Sequence, residues 1–343
     1  MNQTDSNASL IHLDYLDGWR GLAILFLLVG HFFHVPGINL GTVGVNLFFV
    51  LSGYLMGQLL FIKETTLPVF YRRRISRIIP AHVFFIVCVI IFFVITKRTI
   101  DWDETIGGLF FVNNYFPDKI GSSVMPFGHL WSLSVEEHSY ILLSLLAIVS
   151  RRKWINSKLS IACFTMFFSA TGFWYWTKYA GSELDFGKWI HTEVSAYGIF
   201  ISTCLLLFFN KKKIPRLPTF VYPLLLCVGI MMHWWSVPNP IRTTIGVAIL
   251  ALIVNLLSNA PEVIKNALSF KPLRMMGIWS FSIYLWQQPF YLAVYKGAMS
   301  TYTAILLTFF CGIASYYLLE SPVRSYINRV WGGTKRKGSS TTG

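Results

Sequence analysis

Charge is scarce in this chain: Asp, Glu, Lys and Arg make up only 13% of its 343 residues. A soluble protein of that length would need far more to cover its surface. Acid is scarcer still, with 15 Asp and Glu against 29 Lys and Arg. Cysteine is sparse and unpaired in spacing, at Cys88, Cys163, Cys204, Cys227 and Cys311. That pattern excludes a disulfide framework and a metal site, and these thiols read as small buried apolar groups. The first twelve residues are polar and hold no apolar run, so no cleavable signal peptide is expected ahead of the first hydrophobic stretch. No internal repeat is visible, and no stretch is left over for a second soluble domain.

What the chain has is apolar length. It is 54% hydrophobic and 17% aromatic, with a mean hydropathy of +0.55. Stretches of roughly 15 to 23 residues, about the length of a bilayer-spanning helix, recur at about 21–35, 42–62, 79–96, 131–149, 155–177, 191–209, 219–236, 242–257, 273–295 and 302–319. The fold class predicted is an all-α integral membrane protein with about ten transmembrane helices and both termini cytoplasmic. Under that count 22 of the 29 basic residues fall on the cytoplasmic side, the asymmetry expected of a multi-pass protein. The net charge of +14 then serves topology and anionic membrane lipids. It does not suit nucleic acid, because the basic residues are scattered over several short loops. Residues 1–12 are predicted to be a disordered cytoplasmic N-terminus, 13–331 the membrane domain, and 332–343 (GGTKRKGSSTTG) a disordered basic cytoplasmic tail. The loop at about 97–130 contains IGGLFFVNNYF, a candidate re-entrant or interfacial segment.

Five segments carry the polar residues that an apolar chain keeps for a reason. Arg20 and His31 bracket ten uncharged residues in WRGLAILFLLVGHFFH. Eleven helical positions bring the chain back to within roughly 20° of its starting face and about 16 Å along the axis. A cation and a titratable imidazole are thus aligned on one face, and intramembrane ionisable groups are usually functional. The competing reading makes Arg20 a topogenic anchor and His31 an interfacial residue. In LPVFYRRRISRIIPAH, Arg72, Arg73, Arg74 and Arg77 cluster before the third span, with Arg73 and Arg77 at i,i+4. Four guanidiniums suit bidentate phosphate binding, against the plain role of a positive-inside anchor.

In FGHLWSLSVEEHSY, Glu136 and Glu137 are placed at the outer end of the fourth span, where a carboxylate could orient a catalytic imidazole or bind a hydroxyl-rich acceptor. Ser134 to Glu137 also fits a capping box, which would make Glu137 structural. Trp131 could stack on a sugar ring or sit in an interfacial aromatic belt, and Ser132 adjoins it. In SFSIYLWQQPFY, Gln287 and Gln288 need partners inside an apolar helix, and Tyr284 shares a face with Gln287. Interhelical glue is the rival explanation. Last, GVNLFFVLSGYLMG offers Gly44, Gly53 and Gly57 for close helix packing, with Asn46 and Ser52 as polar contacts.

The series Arg20 to His31, GVNLFFVLSGYL, FYRRRISRIIP, HLWSLSVEE, SFSIYLWQQP and ESPVR resembles, in order and over most of the chain, the membrane acyltransferase-3 family. That family includes O-acetyltransferases of bacterial surface polysaccharides, O-antigen among them. The resemblance implies a ten-span protein of the bacterial inner membrane, a cytoplasmic acyl-CoA donor (acetyl-CoA in the simplest case) as co-substrate, and an acceptor on the far side. No bound cofactor or metal is expected. It also implies that Arg20 and His31 carry the family's Arg-to-His motif and that Arg72 to Arg74 form its basic motif. Two positions depart from many relatives: Gln287-Gln288 stand where His-Trp is common, and His138 where Gln is common.

The expectation is therefore an O-acyltransferase. Acyl-CoA phosphates would lie on Arg72, Arg73, Arg74, Arg77 and Arg20, and His31 would act as general base oriented by Glu136 or Glu137. Trp131, Ser132, Ser52, Tyr284 and Gln287 would line the site or the acceptor path. The acceptor would be a surface polysaccharide or lipid-linked glycan. His34 is a second candidate base, and an acyl-enzyme on His31 or Ser52 is the variant route. A transporter of a glycan or small molecule, or an acyltransferase acting on a small secondary metabolite, are the alternatives. Nothing in the sequence fixes an oligomeric state.

Overall fold

The computed structural model of the protein describes residues 13–33, 35–116, 124–179, 187–210, 212 and 216–333. Among the described residues the regular elements are all helical, with one isolated bridge between Ile38 and Trp234. The main helices are α1 (Asp14–Phe32), α2 (Leu40–Gly57), α3 (Leu67–Ile95), α4 (Trp131–Arg151), α5 (Ser157–Lys178), α6 (Tyr197–Phe209), α7 (Val221–Met231), α8 (Val247–Leu256), α9 (Lys271–Tyr295), α10 (Thr301–Ser315) and α11 (Ser321–Gly333). A helix lies at each of the ten apolar stretches. Among the described residues, five helical segments are long and apolar enough to cross a membrane: Leu40–Ile62, Leu67–Ile95, Gly128–Arg151, Asn239–Asn259 and Thr301–Trp331. This is a multi-pass membrane protein.

The helix starts follow from local sequence. The side chain of Asn39 accepts the Thr42 amide at 3.1 Å ahead of α2, Asn156 accepts from Lys158 and Leu159 ahead of α5, and Ser300 accepts from Thr303 ahead of α10. Each satisfies an amide that the helix itself leaves free. Proline stands in the first turn of α3 and of α9, where its missing N–H costs nothing.

Helix α1 runs between α2 and α9 and packs closely on both. The approach to α9 is backbone on backbone. A Cβ on Gly277 would fall 1.8 Å from the Asp17 carbonyl oxygen, and one on Gly21 would fall 2.0 Å from that of Leu273. Only glycine permits this spacing, which sets α9 at a fixed height beside α1.

Two further segments pack on the bundle. IGGLFFVNNYF folds against the bundle as the end of a short helix (Trp102–Leu109) and a single 3-10 turn, with Asn113 and Asn114 buried. The amide of Asn113 donates to the Phe127 carbonyl at 3.1 Å, and that of Asn114 to the Thr192 hydroxyl at 3.0 Å. The tail expected from residue 332 begins as helix, since α11 continues to Gly333 and lies along α3. The rest of that tail, the N-terminal residues 1–12 and His34 lie outside the described residues.

Candidate functional site

Residues at a spacing of three, four or seven on three neighbouring helices face a common interior. They are Arg20, Leu27 and His31 on α1; Val45, Phe49 and Ser52 on α2; and Ser280, Tyr284, Gln288 and Tyr291 on α9. Helical geometry produces each set. Together they line two cavities that share Val45, Phe49 and Tyr284 as a common wall. Arg20 stands on one cavity and His31 on the other.

The arginine-side cavity has a volume of about 110 Å³ and gathers three guanidiniums, those of Arg20, Arg74 and Arg77. Arg20 donates to Asp17 at 2.7 Å, one helical turn back. Arg74 is held between two carboxylates: Nη2 lies 2.7 Å from Glu137 Oε1 and 3.2 Å from Glu136 Oε2, and its guanidinium carbon sits 3.6 Å from the centre of the Tyr140 ring. Glu136 also accepts from Ser52 Oγ at 2.8 Å and from the Tyr140 hydroxyl at 3.1 Å. Arg77 makes no ion pair or side-chain hydrogen bond among the described residues, and Arg20, Glu320 and Arg324 are within electrostatic reach of it. Glu320, from the ESPVR segment, is buried and accepts from Ser282 Oγ at 2.7 Å.

The histidine-side cavity is larger, about 580 Å³. Its walls are aromatic, with Trp131, Trp176, Trp189, Tyr197 and Tyr291 joining Phe49 and Tyr284. Trp131 meets Trp189 edge to face at 5.0 Å between centroids, and Tyr291 stacks on His31 at 4.8 Å. His31 Nδ1 is 2.8 Å from Gln287 Oε1, and Gln287 Nε2 donates to Gln288 Oε1 at 3.1 Å. The Gln287 oxygen faces the imidazole, and the tautomer that completes this bond carries the ring proton on Nδ1 and a lone pair on Nε2. Gly41, also on the lining, keeps Nε2 uncovered: a Cβ there would come within 3.4 Å of it.

Several expectations change. Neither Glu136 nor Glu137 bonds His31: Glu136 lines the other cavity and holds Ser52 and Arg74, Glu137 pairs with Arg74, and it is Gln287 that bonds the imidazole. The capping box is absent because α4 begins at Trp131, which leaves Ser134 inside the helix, donating to Asn113 Oδ1 at 2.7 Å. The basic cluster is divided. Arg74 and Arg77 face the cavity, whereas Arg72 donates to the Trp331 carbonyl of α11 at 3.1 Å and Arg73 is not on the lining. Ser132 bonds the Tyr284 hydroxyl at 2.7 Å, Tyr284 donates to the His129 carbonyl, and both help form the arginine-side cavity. Trp131 and Tyr284 line the histidine-side cavity as anticipated in kind, and Asn46 bonds His233 Nε2 at 3.0 Å there. His138 bonds Thr192 at 2.7 Å, away from both linings.

Sequence reading missed Asp17, Glu320, Trp176, Trp189, Tyr197, His233, Arg242 and Tyr291. Asp17 was marked by its i,i+3 spacing to Arg20, and Glu320 by being the lone acid of an apolar helix end. The others carried no local signal. Among the described residues no group of three or more His, Cys, Asp or Glu is placed to hold a metal ion.

Residues 13–319 match the profile of a family described as an acyltransferase domain. The chain is 28% identical to O-acetyltransferase OatA of Staphylococcus aureus, over 91% of this chain and 57% of that protein. It is 29% identical to peptidoglycan O-acetyltransferase OatA of Listeria monocytogenes, over 90% of this chain and 55% of the relative. It thus spans little more than half the length of these relatives. The name of the Listeria relative points to peptidoglycan rather than to O-antigen or lipopolysaccharide. No solved structure matches the chain.

Proposed function

Because this chain belongs to the acyltransferase-3 family, we propose that it is a membrane O-acetyltransferase. It moves an acetyl group from cytoplasmic acetyl-CoA to a hydroxyl of a surface glycan on the other side of the bacterial inner membrane. The supporting observation is the His31–Gln287 pair, which turns an unprotonated Nε2 into an aromatic-walled cavity adjoining an arginine-lined one. The arginine end of α1 is cytoplasmic in this reading, and ten helices span.

In this reading the pantetheine arm enters the arginine-side cavity and the nucleotide stays at its mouth. Arg77 and Arg20 attract the phosphates at its mouth. The thioester passes the wall of Val45, Phe49 and Tyr284 to reach His31. A glycan hydroxyl in the larger cavity gives its proton to His31 Nε2 as its oxygen attacks the thioester carbonyl carbon. The C–O bond forms, the C–S bond breaks, and the leaving thiolate takes the proton back from His31. The products are the O-acetyl ester and free CoA. General-base assistance of this kind contributes about 10²–10⁴-fold. Direct transfer is preferred to an acyl-serine on Ser52, because Ser52 and His31 line different cavities. Peptidoglycan strands are the first acceptor to try, since the Listeria relative is named for it.

The test is acetyl transfer by protein purified into nanodiscs, with radiolabelled acetyl-CoA and peptidoglycan fragments, beside His31→Ala. Labelled glycan from the wild type alone is the expected result. Equal labelling by His31→Ala would remove His31 from the mechanism, and no CoA release with any acyl-CoA would remove the enzyme reading.

A further inference from the structure

The histidine-side cavity contains one permanent charge. Among the described residues on its lining there is no Asp or Glu, and Arg242 is the sole Arg or Lys. Arg242 opens the π-helical turn Arg242–Gly246 and is half-buried beside Asn239 and Thr243, which line the same space. Its guanidinium makes no ion pair and no side-chain hydrogen bond among the described residues. The groups nearest to hand are already used: His233 donates from Nδ1 to the Gly229 carbonyl at 2.8 Å and bonds Asn46 through Nε2. A partly desolvated guanidinium with no counter-ion is costly unless a ligand completes it. Topology gives no reason for it either, since Arg242 falls on the side from which positive charge is otherwise depleted.

We infer that Arg242 is a binding residue for an anionic group on the acceptor, so the glycan acetylated here is an acidic one. This rests on the acetyl-transfer reading above. The carboxylate-free lining sets no negative charge against an anion. Trp131 and Trp189 offer flat faces for a sugar ring, and the guanidinium fork holds a carboxylate or phosphate at a fixed distance from His31. The charge has two possible sources with one chemistry: a carboxylate on the sugar itself, or a phosphate of a lipid carrier.

The experiment measures kcat/KM for four acceptors with the full chain in nanodiscs: an oligosaccharide bearing a carboxylate, its primary amide, a neutral oligosaccharide on polyprenyl pyrophosphate, and that oligosaccharide free. The wild type is expected to favour one anionic member over its neutral counterpart by about 10–100-fold, the range of a charge-assisted hydrogen bond. The pair that shows the preference identifies the anion. Arg242→Gln is expected to bring that ratio close to one, and a ratio within one preparation is independent of how much variant folds. If the wild type treats both pairs alike, or Arg242→Gln keeps the full preference, the inference is overturned while acetyl transfer stands. If no acceptor is acetylated at all, the acetyl-transfer reading falls and takes this inference with it. Should the variant not fold, the wild-type ratios alone decide.

Discussion

His31 and Gln287, 256 positions apart in the chain, meet at 2.8 Å through Nδ1 and Oε1. The contact closes α1 against α9 and selects the tautomer whose free nitrogen faces the larger cavity. Gln287 itself takes no proton; it acts through the ring it holds.

Replacing Gln287 by Leu keeps the volume near that of the amide and removes the acceptor. The imidazole then loses its fixed tautomer and orientation. We expect kcat to fall about 10–100-fold, less than the loss for His31→Ala, with KM for either substrate little altered. Steady-state kinetics on both substrates separates the cases. A change confined to KM would place Gln287 in substrate binding instead.

Arg74 and Arg77 lie one helical turn apart on α3 and line the same cavity, yet they should fail in different ways. Arg74 is the only cation between Glu136 and Glu137. Arg74→Gln leaves two neighbouring carboxylates uncompensated and should cost about 3–5 kcal/mol of stability, read as a lowered melting temperature in detergent. Arg77 has no carboxylate clamped to it. Arg77→Gln should melt near the wild type and raise KM for acetyl-CoA about 10–100-fold. Identical behaviour of the two variants would contradict the division of roles.

Membrane character and helix positions were legible because length and hydropathy of each stretch are local properties. The two ends of the site on α1 were legible for the same reason: Arg20 and His31 sit on one helix, where spacing converts directly into direction. Pairings between helices were not. Glu136 and Glu137 carry charge that any nearby imidazole could use, and nothing in WSLSVEEH says that Arg74 of α3 arrives first. Gln287 stood out as a polar side chain needing a partner in an apolar helix, but that the partner is His31 depends on α1 lying opposite. Arg242, Trp189 and His233 come from separate loops and helices, and only folding places them around one cavity. The capping box failed for a related reason: the preceding 3-10 turn Gly128–Leu130 runs straight into α4, so the helix starts three residues before the serine that resembled a cap.

The height at which α9 sits beside α1 decides whether Gln287 reaches His31, and Gly277 sets that height. A methyl group at 277 would lie 1.8 Å from the Asp17 carbonyl oxygen and 3.0 Å from the Gly21 nitrogen. Backbone atoms cannot turn aside as a side chain can, so the helices must separate. Gly277→Ala should therefore destabilise the protein by about 1–3 kcal/mol or more and lower kcat as well, because the His31–Gln287 contact opens. Gly229→Ala on α7 is the control. The atom it would meet at 2.7 Å is Cδ2 of Leu250, the end of a side chain that can change rotamer. It should melt closer to the wild type and keep activity. The measurement is a melting temperature and an acetyl-transfer rate for both variants in the same nanodiscs. A Gly277→Ala protein as stable and active as the wild type would show that α1 and α9 can move apart without loss, and the link from helix spacing to the imidazole would not hold.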